Sequence, residues 1–245
     1  MSNTAWAFAT ARQFHSRLFD KLSTEAVDRR EHLNKQEVAN FLWACATVGY
    51  TDEQLFLVFA PVIVSKLEQC NKQGLTNIAW AYSVANMPRQ DVFNHAFNRS
   101  LASKESALSD ESLFQLHQWQ LWQQELESGF AELPRSLQEK CCNTFISAKH
   151  SESKLQNDVV GELIAAGHDL EEEVLLGSGY RVDALVEFGD GRNVAVEVDG
   201  PSHFIQRRPT GSTILKHRQV VRLDRVEVVS VPYWEWDELK NSVTR

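Results

Sequence analysis

The chain has 245 residues, 43% hydrophobic and 24% charged, the proportions of a globular protein with one large domain or two ordinary ones. No apolar run approaches the roughly eighteen residues that a membrane span needs, so none is expected. The formal net charge of −8 disfavours nucleic acid on totals alone, but Arg207, Arg208, Lys216, Arg218, Arg222 and Arg225 lie close together against the single acid Asp224.

The first residues lack a basic start followed by an apolar core and are poor in arginine, so neither a secretory leader nor a transit peptide is expected there. Asn3 and Trp6, Asn40 and Trp43, and Asn77 and Trp80 recur at one fixed step, within Asn3-Thr-Ala-Trp6, Asn40-Phe-Leu-Trp43 and Asn77-Ile-Ala-Trp80. A fourth step lands on His117, in a degenerate copy. A fixed period in the thirties predicts stacked helical hairpins, an all-α solenoid over residues 1–150. The chain opens inside the first repeat, so Met1 is not expected to be the natural start of a full array. The tryptophans are expected to pack in the core of their hairpins.

Local punctuation agrees. Asn34 with Glu37 predicts a capping box, Gly49 a stop, and Thr51 with Gln54 the next start. Gly74 and Pro88 are expected to bracket the third tryptophan helix, and Ser109 or Asp110 to cap the fourth. A last helix is predicted from Pro134 to Ser147. Gly129, Pro134 and the polar run from Lys149 to Ser153 place the junction near residue 150. Cys45, Cys70, Cys141 and Cys142 form no C-x-x-C pair and read as reduced thiols without structural zinc.

Residues 151–245 read as a small α/β domain. A helix from Leu155 to Ala166 stops at Gly167, and strands follow at Leu170–Leu176, Tyr180–Phe188 and Asn193–Asp199. A helix from Ser212 to Leu223, a strand from Val226 to Val231 and a helix from Glu235 to Val243 close the chain. The β-branched run Val194-Ala195-Val196-Glu197-Val198-Asp199 places Glu197 and Asp199 on one strand face, just before the break at Gly200-Pro201 and then His203. Charges are not left unpaired in a core, so these acids need a cation, a basic partner or a function. The preceding hairpin decides the geometry. A two-residue loop at Asp190-Gly191 sets Asp183 opposite Val198. A three-residue loop with Gly191 in the left-handed position sets it opposite Glu197, and the glycine there favours this register.

Asp183, Glu197 and Asp199 then form either a functional cluster or a polar network bridged to Arg181, Lys216 or Arg218. His203 is either a turn residue bonded to backbone or a general base. Arg218, Arg222 and Arg225 lie on one helical stripe, either a solvated face or a phosphate track that Arg207 and Arg208 extend. Tyr233 and Trp234 follow Pro232 and can stack on bases, while Trp236 is expected in the core.

Four pieces in order carry a resemblance: Tyr180-Arg-Val-Asp183; Val196-Glu197-Val198-Asp199-Gly200-Pro201-Ser202-His203-Phe204; Thr213-Ile-Leu-Lys216-His-Arg218; and Val231-Pro232-Tyr233-Trp234-Glu235-Trp236. They resemble the RAP domain, a proposed RNA-binding module similar to the very short patch repair endonuclease and the PD-(D/E)-x-K nuclease core. The 37-residue step resembles the heptatricopeptide repeats that accompany RAP domains. The resemblance implies binding of RNA, single-stranded for preference, by Arg207, Arg208, Lys216, Arg218, Arg222, Arg225, Tyr233 and Trp234. It implies a mitochondrial setting, or a plastid one, and work in transcript processing, stability or ribosomal RNA handling, with ribosomal or other proteins as partners of the repeats. In the nuclease pattern Asp183 and Glu197 would hold Mg²⁺. Asp199 stands where that pattern has its lysine, so Lys216 or His203 would have to activate the attacking water. Two further readings follow: a metal-dependent RNA endonuclease built on these residues, and a protein-interaction scaffold in which an acidic array grips another protein.

Overall fold

The computed structural model describes residues 1–126, 130–148 and 153–243. Gly129 and the expected junction near residue 150 lie outside the described residues. Among the described residues no helix is long and apolar enough to cross a membrane.

The first half is helical: α1 (Ser2–Thr10), α2 (Ser16–Asp28), α3 (Lys35–Thr47), α4 (Glu53–Lys66), α5 (Lys72–Ala85), α6 (His95–Ala102), α7 (Asp110–Glu125) and α8 (Arg135–Ile146). Helices α1, α3, α5, α7 and α8 pack each on the next, and α2 and α4 pack together beside them. Trp6, Trp43 and Trp80 occupy matching places about one turn before the ends of α1, α3 and α5. The expectation of a buried tryptophan core holds for Trp80 but not for Trp6, which is 45% exposed. The rings of Trp43 and Trp80 lie 6.4 Å apart.

The capping box forms as read: Asn34 accepts from the Gln36 and Glu37 amides, and Glu37 returns a bond to the Asn34 amide. Two starts differ from expectation. Asp52, not Thr51, caps α4 by accepting from the Leu55 amide. Asn71 caps α5, so Gly74 lies inside that helix rather than before it. An aspartate or asparagine is the stronger cap, and each outcompetes its neighbour.

The second half contains α9 (Lys154–Ala165), β1 (Asp169–Leu175), β2 (Arg181–Glu187), β3 (Asn193–Asp199), β4 (Phe204–Ile205), β5 (Arg208–Pro209), α10 (Gly211–Gln219), β6 (Glu227–Pro232) and α11 (Tyr233–Val243). One sheet has the order β1-β2-β3-β6, antiparallel except for the parallel pair β3–β6. The hairpin takes the three-residue form: Gly191 has φ +81° and the ladder runs from Glu187 with Asn193 to Ala184 with Val196, ending one residue short of Asp183 and Glu197. The β4–β5 pair, a tight hairpin with Gln206 at φ 60°, was not legible in the sequence. A π-helical turn, Val220–Asp224, follows α10 where a continuous helix was expected.

Both sheet faces are covered. On one, Val159 and Val160 of α9 meet Ala184, Val186, Val196 and Val198. On the other, Ala195, Val182 and Tyr180 meet Val220 and Leu121, a residue of α7. Ile205 and Leu215 go further and join the core of the helical array. Helix α10 is therefore shared: its N-terminus abuts α3 so closely that a Cβ at Gly211 would overlap the Ala46 carbonyl oxygen.

Candidate functional site

The site lies where the parallel strands β3 and β6 end. Strand alternation brings Glu197 and Asp199 to the face that α10 covers, and both are almost fully buried. Lys216 Nζ of α10 donates to Glu197 Oε2 at 2.7 Å. Asp183 reaches between the strands, where its Oδ2 accepts from the Val198 amide at 2.7 Å in place of a ladder carbonyl. Burial pushes Glu197 up to about 7, reinforced by the charges of Asp183 and Asp199 and opposed by Lys216. Burial also raises Asp183, against the Val198 amide and Lys216.

Asp199 has different company. His203 Nδ1 lies 2.9 Å from its Oδ1, and His217 Nε2 lies 3.6 Å from its Oδ2. Ser230, across the parallel pair, donates to Oδ2. Burial alone would raise Asp199, but His203, Ser230 and His217 together hold its carboxyl below the usual range. Burial holds His217 below the usual imidazole value, against the pull of Asp199. Neither Ser230 nor His217 stood out in the sequence. The available signal was a hydroxyl in the apolar run Val228-Val229-Ser230-Val231, which falls opposite Glu197.

The backbone of His203 is pinned. Its amide donates to the Gly200 carbonyl at 3.0 Å, and its carbonyl accepts from the Thr210 amide at 2.8 Å and Thr213 Oγ1 at 3.0 Å. Thr210 is also the N-cap of α10. One start of a helix thus braces both the histidine turn and the helix that carries Lys216.

Beside this polar cluster lies an aromatic and cationic platform. Phe204, Tyr233 and Trp234 meet edge to face or tilted, with ring centroids 4.4–6.4 Å apart. The Arg207 guanidinium sits 5.6 Å over Trp234 and pairs with Glu238 at 3.0 Å, leaving the arginine side chain 69% exposed. Arg208 turns the other way and lies 4.8 Å over Phe14 of the array.

Of the expected stripe, Arg218 and Arg222 keep a common side and reach the same carboxylate of Glu125, while Arg225 leaves it. Arg218 points into the array, donating to Glu125 at 2.9 Å, to the Val84 carbonyl at 3.2 Å and to the Ser83 carbonyl at 2.5 Å. Arg222 lies 3.6 Å from the same Glu125, which has no exposed side-chain surface. The π-helical turn shifts the spacing, and Arg225 ends it with φ 58° at the start of β6, the far end of that strand from Tyr233. The nearby carbonyls at the end of α5 and the buried carboxylate of α7 are what claim Arg218.

Lys216 neutralises one edge of the acid pair Asp183 and Glu197, and the second Glu197 oxygen is buried without a hydrogen-bond partner. Asp183 and Glu197 each have one oxygen committed to a donor, and among the described residues no group of three His, Cys, Asp or Glu is arranged to hold a metal ion.

Residues 196–245 match the family model of the RAP domain. That stretch begins on β3 and takes in both the polar cluster, Asp183 excepted, and the platform. The chain is also similar to a protein named RAP domain-containing protein, chloroplastic, from Oryza sativa subsp. japonica, with 33% identity over 90 residues. The match takes in 36% of this chain and 13% of the rice protein's length.

Proposed function

We propose that this chain binds single-stranded RNA at the ends of β3 and β6, within an organelle, as a factor in transcript processing, transcript stability or ribosomal RNA handling. The observation that carries the reading is the exposed Arg207 over the half-buried rings of Tyr233 and Trp234, inside the stretch that matches the RAP domain. Unpaired bases offer π-faces to such rings, and a guanidinium over an indole adds a phosphate contact without being buried itself. The net charge of −8 is a total over the chain, and it leaves room for a local cation: Arg207 on the β4–β5 hairpin stays exposed although it pairs with Glu238. The chloroplastic rice relative supports an organellar setting, whether mitochondrion or plastid. The order helix, three strands, helix, strand supports kinship with the PD-(D/E)-x-K core, and the stacking of alternate helices supports a solenoid with room for ribosomal or other protein partners.

The test is gel retardation of a labelled single-stranded RNA across a salt series. Trp234→Ala should weaken binding by roughly tenfold or more, since one stacked base is worth about 1–3 kcal/mol. Arg207→Ala should shallow the salt slope by roughly 0.7, the loss of one phosphate contact. Affinity and slope unchanged in both variants would remove this surface from the account.

A further inference from the structure

His203 combines features that a binding residue does not need. Its Nδ1 faces a carboxylate that is itself buried, at 2.9 Å, and that carboxylate is held from its other side by Ser230. With Nδ1 directed at Asp199, ring geometry puts Nε2 and its lone pair on the opposite side. The side chain is 39% exposed, so the ring is anchored at Nδ1 and still reachable from solvent. Three backbone bonds fix its main chain, as described above. A carboxylate that sets the tautomer of a half-exposed imidazole is the arrangement that makes histidine a general base. The platform that would hold RNA follows immediately, at Phe204 and Arg207.

We propose that His203, oriented by Asp199, is the general base of an RNA transesterification that uses the substrate's own 2′-hydroxyl and needs no divalent ion. The proposal rests on the RNA-binding reading above. His203 Nε2 takes the proton of the 2′-hydroxyl, and the 2′-oxygen forms a bond to the adjacent phosphorus as the bond from phosphorus to the 5′-oxygen breaks. The departing 5′-oxygen takes a proton from water, and the protonated His203 neutralises the hydroxide that this leaves. The products are a 2′,3′-cyclic phosphate and a 5′-hydroxyl, with no oxidant or co-reactant consumed. His203 is the catalytic residue; Asp199 and Ser230 are positioning residues. Lys216 stays with Glu197 and neutralises the acid beside the reaction without entering it.

The experiment uses the full chain with a 5′-labelled single-stranded RNA in EDTA, reading retardation and cleavage on the same samples. A DNA of matching sequence serves as the substrate without 2′-hydroxyls. Expected are EDTA-resistant cleavage, products ending in 2′,3′-cyclic phosphate and an intact DNA. His203→Ala should lower the rate by roughly 10²-fold or more with RNA affinity within about twofold, and added imidazole should restore part of it. Asp199→Asn should lower the rate without imidazole rescue. Rescue separates a chemical role from a structural one, because a free base does not repair a fold. Cleavage that EDTA abolishes and Mg²⁺ restores would overturn the proposal. So would cleavage that is equal in His203→Ala, or retardation of the RNA with no cleavage at all. Absence of retardation strikes the RNA-binding reading instead, so the two failures are distinguishable.

Discussion

At the scale of single residues, the buried acids set the pH behaviour. Glu197 ordinarily titrates near 4.5 and is raised to about 7, chiefly by burial. Between those values the folded chain holds a proton that the unfolded chain has lost, so this group's contribution to stability falls as pH rises across that window. Asp199, held below its ordinary value, acts in the opposite sense: its contribution is present above that value and is lost on acidification. The two windows are displaced, so a variant isolates one. Glu197→Gln keeps the shape and removes the titration, and the slope of thermal stability against pH between about 5 and 7 should flatten in the variant. Identical slopes in variant and parent would mean that Glu197 is ionised throughout and that Lys216 fully compensates its burial.

At the scale of elements, α10 is the piece on which the rest depends. Its first residue fits only because it has no side chain: a Cβ at Gly211 would overlap the Ala46 carbonyl oxygen and stand 3.0 Å from a Val84 methyl. Gly211→Ala should therefore destabilise the chain by about 1–3 kcal/mol, read as a lowered denaturant midpoint, although alanine is the better helix former. A gain in stability would show that α3 and α10 separate readily. Sequence reasoning reached the strands well, because β-branched runs between glycine turns have a strong local signature. It reached the hairpin register too, through the single residue Gly191. What it missed was tertiary. The stripe of Arg218, Arg222 and Arg225 rested on an ideal helical spacing, and neither the π-helical turn nor the buried Glu125 some ninety residues earlier is written in that local pattern. The partners of Asp199 were hidden for the same reason: Ser230 reaches it only through a parallel pairing that a local reading does not supply. Trp6 was misplaced because a repeat marks equivalent positions and says nothing about which copy is covered.

At the scale of the whole molecule, the two halves share a core. Ile205 and Leu215 pack with the array, Tyr180 bonds both Gln118 and Gln219, and Gln219 bonds the Gln118 carbonyl. The buried pair of Arg218 and Glu125 adds an interaction whose one-sided loss typically costs about 3–5 kcal/mol. Residues 153–243 produced alone should therefore show no cooperative thermal transition, whereas the full chain should unfold in one. A separate sharp transition for the shorter piece would show that the junction is only a docking contact. The order of side chains along α10 gives this union a mechanical meaning. Lys216 and His217 reach Glu197 and Asp199, and the next residue, Arg218, grips the ends of α5 and α7. Less than one turn of helix separates the grip from the working end. The array is thus the long arm of a lever whose short arm carries the lysine and a histidine, and a cargo that flexes α5 against α7 must also move the ammonium relative to its acid.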